Sequence, residues 1–229
     1  MCDVDSTHAE AAAVEAARQC SRGTVLCTHG LESVNARDAH MHVVDKALMT
    51  DDMVDTFMQW LQRRSARVPQ QCAVAALSSV FSQIAADRTQ ISMRIELARV
   101  LQETPADDLL LPVCARSPWS LLHARRPERI VYAYDPLGGN ATHLLVVDVL
   151  LGLLRSYAAL PVEWLDSSWH ARNVAKAPRQ QDSVSCGVFV CAAAERITRG
   201  EPLVFPSDHA SLWIMRQRIL LLMMRCHFD

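Results

Sequence analysis

The 229-residue sequence is poor in glycine and proline, with 7 and 10 residues, and it contains no low-complexity tract or internal repeat. That scarcity excludes a collagen-like chain and argues against a disordered one. An excess of one charge is missing too: 23 basic residues stand against 25 acidic, a net of −2, so nothing global calls for a nucleic-acid partner. Long hydrophobic runs are lacking. The most apolar window, residues 143–154, holds Asp148 and is too short to span a bilayer, so no membrane association is expected. The first residues, Met1-Cys2-Asp3-Val4-Asp5-Ser6, have neither the basic start nor the apolar stretch of a signal peptide. The eight cysteines form no Cys-x-x-Cys pair and no Cys/His grouping at zinc spacing. Free thiols in a reducing compartment, cytoplasmic or nuclear, follow as the expectation, with no metal and no cofactor.

What the sequence has is hydrophobic content, 50% of its residues, enough for one substantial core. Residues 1–38 read as an N-terminal extension with an alanine-rich helix over residues 9–20, and residues 39–229 as one domain, expected to be a monomer. Periodicity near 3.6 predicts helices over residues 43–61, with a start signal at Thr50-Asp51-Asp52, and over 73–81, 91–101 and 211–224. Residues 109–114 read as a buried strand that Pro112 pushes toward an edge or irregular position. Residues 119–123 and 129–134 form a hairpin signal around a charged turn. Asn140 reads as the cap of a helix running to about residue 157, residues 162–164 as a short strand, and residues 166–178 as loop. Helices, a small central sheet, then helices make an α+β domain.

The stretch that carries chemistry is residues 180–191. Ser185 reads as a helix N-cap, and Val188, Val190, Cys191, Ala194 and Ile197 follow at helical spacing, so a helix begins near Cys186. A thiol at a helix N-terminus meets unpaired N–H groups and the positive end of the dipole, which favour the nucleophilic thiolate. Gln180 can aim its amide at the same spot and form an oxyanion hole with the Cys186 N–H. Gly187 leaves room for a substrate backbone. Cys191, inside the apolar run, reads as core.

Three segments at characteristic distances, Ser117-Pro118-Trp119-Ser120-Leu121-Leu122, Tyr134-Asp135-Pro136-Leu137-Gly138 and residues 180–191, resemble the Ulp or sentrin-specific cysteine peptidases of ubiquitin-like modifiers, relatives of the adenovirus protease. Within the family the likeness is to the deneddylating, sentrin-specific-protease-like branch. The resemblance implies a papain-like cysteine protease fold of the adenain/Ulp type, with a mixed sheet flanked by helices. It implies Cys186 as nucleophile, Asp135 as the residue that orients the base, and Gln180 at the oxyanion. It also implies Trp119 beside the channel for the modifier's Gly-Gly tail, and Asp51 at the acidic end of a recognition motif whose tryptophan position holds Leu48. The partner implied is a ubiquitin-like modifier, of cullin type or SUMO, and the activity is processing or deconjugation after Gly-Gly.

One position departs from the pattern. The family's catalytic histidine immediately precedes the tryptophan, and here that residue is Pro118. Without an imidazole the thiol has no general base and no counter-ion, a loss on the order of a thousandfold or more in triad enzymes. The alternative to a working peptidase is therefore a pseudoprotease that holds a modifier without cutting it. Of the other histidines, His123 is expected on the strand face away from position 118, and His143 and His170 lie in helix and loop; His170 is the nearest thing to a substitute because its loop leads to Gln180.

Overall fold

The computed structural model describes residues 15, 19–21, 23–29, 32–43, 46–68, 71–82, 90–114, 118–138 and 141–224. The expected helix over residues 9–20 lies for the most part outside them, as do Ser117 and Asn140. Val25–His29 (β1) and Glu32–Asn35 (β2) pair antiparallel and lead into Ala36–Val43 (α1). Val34, Ala39 and Val43 are buried in the same cluster as the middle of the next helix. Within residues 25–38, Val34 belongs to that cluster and Leu26 packs against it.

Asp51–Arg67 (α2) starts where Thr50 caps it, the Thr50 Oγ1 accepting from the Met53 N–H at 3.3 Å. Met53, Val54, Phe57, Met58 and Leu61 are fully buried, each contributing roughly 1.5–3 kcal/mol. Asp55 is buried among them and accepts from Ser78 Oγ at 2.7 Å, Ser79 N at 2.8 Å and Ser79 Oγ at 2.9 Å. Burial raises its pKa, and those hydrogen bonds hold it down.

Residues 73–81 are not one helix; only Val80 and Phe81, at the end of that span, are helical. Val74–Ala76 (β3) is an edge strand, and its outward N–H groups are taken by side chains of α2: Val74 N donates to Ser65 Oγ and Ala76 N to Gln62 Oε1. A nine-residue apolar window cannot separate such a strand from a helix, and here the tertiary acceptors decide. Gln90–Glu103 (α3) follows, then Asp108–Val113 (β4), Ser120–Arg125 (β5) and Ile130–Tyr134 (β6), the last two joined by a 3-10 turn over Arg126–Glu128. Pro112 sits opposite Leu121, beyond the end of β3, where a missing N–H costs the ladder nothing.

Ala141–Ser156 (α4) returns along the sheet. Residues 162–164, read as a strand, form a 3-10 turn that buries Trp164 against Trp169, the rings stacked at 5.8 Å. Within the expected loop, His170–Asn173 (β7) runs parallel to β6; its four residues are exposed, so no apolar pattern announced it. Cys186–Thr198 (α5) and His209–Met224 (α6) complete the described chain.

The sheet order is β3-β4-β5-β6-β7, a five-stranded mixed sheet with helices on both faces. Leu110, Leu121 and Tyr134 face α2, α5 and α6, while Leu109, Leu111, Leu122 and Val131 face α3 and α4. Burial on both faces is why β4 reads as an unbroken apolar run rather than an alternation. The expected α+β architecture holds, and it delivers the start of α5 to the edge of the first face.

Candidate functional site

Helix α5 begins at Cys186, as its periodicity requires, and Ser185 is the residue before it, but the Ser185 side chain makes no cap hydrogen bond. Asp182 organises the entry instead. Its Oδ1 accepts from Val184 N at 3.0 Å and Ser185 N at 2.8 Å, and its Oδ2 accepts from Ser185 Oγ at 2.6 Å. With the serine occupied, the first N–H groups of the helix stay free of side-chain caps, and those of Cys186 and Gly187 are directed at the Cys186 sulfur together with the N–H of Trp119.

Those three donors favour the thiolate, but the sulfur has no solvent exposure and the Asp182 carboxylate lies near it. Burial is the largest influence, and the thiol's pKa is raised. The sequence expectation of a thiolate favoured by the helix start is thus corrected: the dipole and N–H groups are present, and desolvation outweighs them.

Trp119 is buried, with its indole Nε1 donating to the Met49 carbonyl at 3.1 Å. Met49 also fills the space facing Gly187; a Cβ at that glycine would lie 2.8 Å from Met49 Cβ. Gly187 is therefore where α5 meets the residue 49 segment closely. Asp51, expected at a recognition motif, is exposed in the first turn of α2, two residues beyond Met49; Thr50 is the cap.

The loop carrying Gln180 is stitched to the end of β6. Tyr134 Oη donates to the Pro178 carbonyl at 2.7 Å, and Gln180 N to the Pro136 carbonyl at 3.1 Å. This brings Gln180 beside the Asp135-Pro136 segment. The Gln180 side chain is buried; its Nε2 donates to the Asp182 carbonyl at 2.8 Å, and its Oε1 has no partner. One amide hydrogen is therefore spent on the loop and one is left to point elsewhere. Asp135 is half-buried just past β6, its Oδ1 accepting from Leu137 N at 3.1 Å.

No histidine is among the hydrogen-bond or charge partners of Cys186 within the described residues. Pro118, half-buried, stands where the imidazole was sought. His123 shares a strand face with Leu121, which looks toward α5, and Asp108 Oδ1 holds its Nε2 at 2.5 Å. His170 lies opposite Ile130, the far end of β6, roughly 16 Å along the strand from Asp135. That register removes it as a substitute. The side chain of His143 lies outside the described residues.

Two residues that the sequence did not single out shape the site. Arg216 in α6 is buried and reaches Val184 O and Ser185 Oγ, both at 3.2 Å. His42 in α1 faces it: Nδ1 accepts from Arg216 Nη1 at 3.1 Å and Nε2 donates to the Arg216 carbonyl at 3.2 Å. Burial, reinforced by the guanidinium, lowers the His42 pKa to about 3, so it is neutral with both nitrogens engaged. The available signals were a lone arginine on an otherwise apolar helix stripe and the Asp-x-x-Ser spacing ahead of Cys186.

Among the described residues no group of three or more His, Cys, Asp or Glu side chains is placed to hold a metal, and no helix is long and apolar enough to cross a membrane.

A cysteine at the N-terminus of a helix packed on the face of a mixed sheet, with a glutamine loop tied to the end of the neighbouring strand, defines the class as papain-like α+β. The chain belongs to the Ulp1 protease family: the family's C-terminal catalytic domain matches residues 47–225. Its fold is similar to that of the C-terminal Ulp1 protease domain solved with Smt3, the yeast orthologue of SUMO, at TM-score 0.77 and 19% identity over 96% of each chain. The Ulp1-like SUMO protease catalytic domain of Chaetomium thermophilum is similar at TM-score 0.70 and 20% identity, over 96% of this chain and 90% of that one. XopD, an effector of Xanthomonas campestris solved bound to ubiquitin, is similar at TM-score 0.53 and 18% identity, over 76% and 91%. At these identities the likeness is one of fold. No curated protein sequence matches the chain.

Proposed function

We propose that this domain is a cysteine-type peptidase of ubiquitin-like modifiers, SUMO-class above all, whose chemistry is impaired, so that it holds the modifier's Gly-Gly terminus and turns it over slowly. The observation that carries the reading is the environment of Cys186: three backbone N–H groups converge on a buried sulfur whose pKa is raised and whose partners among the described residues include no histidine. In this reading Cys186 is the nucleophile position and Asp135 is the acidic residue retained from the triad. Gln180 supplies its remaining amide hydrogen to the oxyanion, beside the N–H groups at the start of α5. Trp119 and Asp51 flank the path of the modifier. Without a base the thiol is not deprotonated and the leaving amine is not protonated, which sets turnover about a thousandfold or more below that of an intact triad.

The competing reading, full isopeptidase or processing activity, draws on the joint retention of Cys186, Asp135 and Gln180 with family membership. The Trp119-Ser120-Leu121-Leu122 strand keeps a cullin-type modifier in the comparison. The test is a panel of SUMO, ubiquitin and cullin-type modifiers, each as free protein and as a C-terminal fluorogenic amide. Binding to SUMO with turnover barely above background, abolished in Cys186→Ala, supports the proposal. Turnover at the rate of an intact triad establishes the competing reading, and failure to bind any of the three overturns both.

A further inference from the structure

Arg216 is a charged residue on the buried face of α6, 2% exposed, in a stripe that otherwise contributes Leu212, Ile219 and Met223 to the core. A guanidinium in such a place must be matched bond for bond, because an unpaired buried cation is strongly destabilising. It is matched by acceptors from two separate parts of the chain. Nη1 donates to Ala47 O at 2.9 Å, to His42 Nδ1 at 3.1 Å and to His42 O at 3.2 Å. Nη2 donates to Val184 O and Ser185 Oγ, both at 3.2 Å. The acceptors at residues 42–47 lead directly to Met49, which packs on Gly187 and accepts from Trp119; those at 184–185 immediately precede Cys186.

We propose that Arg216 is the positioning residue of the candidate site, its guanidinium locking the 182–185 turn and the residue 42–49 segment together so that Cys186 is held against the N–H groups of Trp119 and Gly187. This rests on reading Cys186 as the centre of the site. The arrangement suits a fork of fixed geometry: the two nitrogens point to two chain segments at once, which a single ammonium cannot reproduce. Asp182 completes the network by holding the Ser185 hydroxyl whose oxygen Arg216 contacts. Among the described residues, Asp182 from the turn and Arg216 from α6 couple electrostatically to Cys186, with opposite signs.

The test is the rate of iodoacetamide labelling at Cys186 and at Cys191, resolved from each other by fragment mass spectrometry, in the full chain and in Arg216→Met and Arg216→Lys. Cys191 is fully buried five residues further along the same helix and reports opening of the fold as a whole. With the lock removed, Cys186 labelling in Arg216→Met rises about tenfold or more while Cys191 stays protected, because only the turn opens. The pH midpoint of Cys186 labelling moves upward as the thiolate loses its cation, and Arg216→Lys restores it in part. Equal acceleration at both cysteines, or no change at either, overturns the inference and leaves Arg216 as packing alone. If Arg216→Met does not fold, Ser185→Ala decides: selective labelling of Cys186 supports the lock, and unchanged labelling refutes it. The readout needs no modifier, so it fails or succeeds independently of the modifier reading.

Discussion

Acidification is a perturbation to which His42 gives a calculable response. Its pKa falls from 6.5 to about 3 on folding, because burial and the facing guanidinium exclude a second proton. A histidine whose folded pKa is depressed contributes stability that is complete above the unfolded pKa. That contribution is lost as pH falls below 6.5, since only the unfolded chain takes up the proton, and the loss stops near pH 3. Between about pH 7 and about pH 5 the loss is about 2 kcal/mol. Asp166, Asp182 and Asp208, whose hydrogen bonds hold their carboxyls below the ordinary range, add nothing in that window. Asp55, shifted upward, works in the opposite direction. The assay is urea unfolding across this range for the parent and for His42→Gln, whose amide can donate to the Arg216 carbonyl and accept from its guanidinium without titrating. The parent loses stability toward acid and the glutamine variant does not. An equal slope in both proteins refutes the account of His42.

Two further perturbations follow from the packing around the site. Gly187→Ala drives a methyl to 2.8 Å from Met49 Cβ and destabilises by about 1–3 kcal/mol in urea unfolding, whereas a glycine facing open space would tolerate it. Asp55→Ala strands the Ser79 N–H and two serine hydroxyls against α2 and costs about 2–4 kcal/mol by the same assay; a cost under about 0.5 kcal/mol contradicts the buried role given to that carboxylate.

Much of the fold and the outline of the site were legible in the residues. The long helices announced themselves by period and by the Thr50 cap, and α5 began where its polar-to-apolar transition put it. β4 to β6 were visible because their runs are apolar or bounded by turn residues. β3 and β7 were not, for opposite reasons. β3 is apolar but only three residues long, and side chains of α2 decide its conformation; β7 is polar and exposed, and nothing but its pairing with β6 makes it a strand. At the site, the residue pattern pointed to Cys186 and Gln180, and the family resemblance it carries implied Asp135 and Trp119. It did not supply Arg216 or His42, since neither sits near the motifs in sequence and only the packing of α6 against α1 joins them. Nor could sequence weigh burial against the helix dipole at Cys186, an outcome set by how much water the surrounding segments exclude.

The most direct measurement is turnover of a SUMO C-terminal fluorogenic amide by the parent and by Pro118→His. Position 118 precedes the residue whose N–H reaches the Cys186 sulfur, which makes it the position at which to restore an imidazole. The parent is expected to bind with turnover close to background, and Pro118→His to gain about a thousandfold, abolished again by Cys186→Ala. A parent that already turns over at that level, or a folded, modifier-binding Pro118→His that remains inert, contradicts the claim that the missing base is what limits this site.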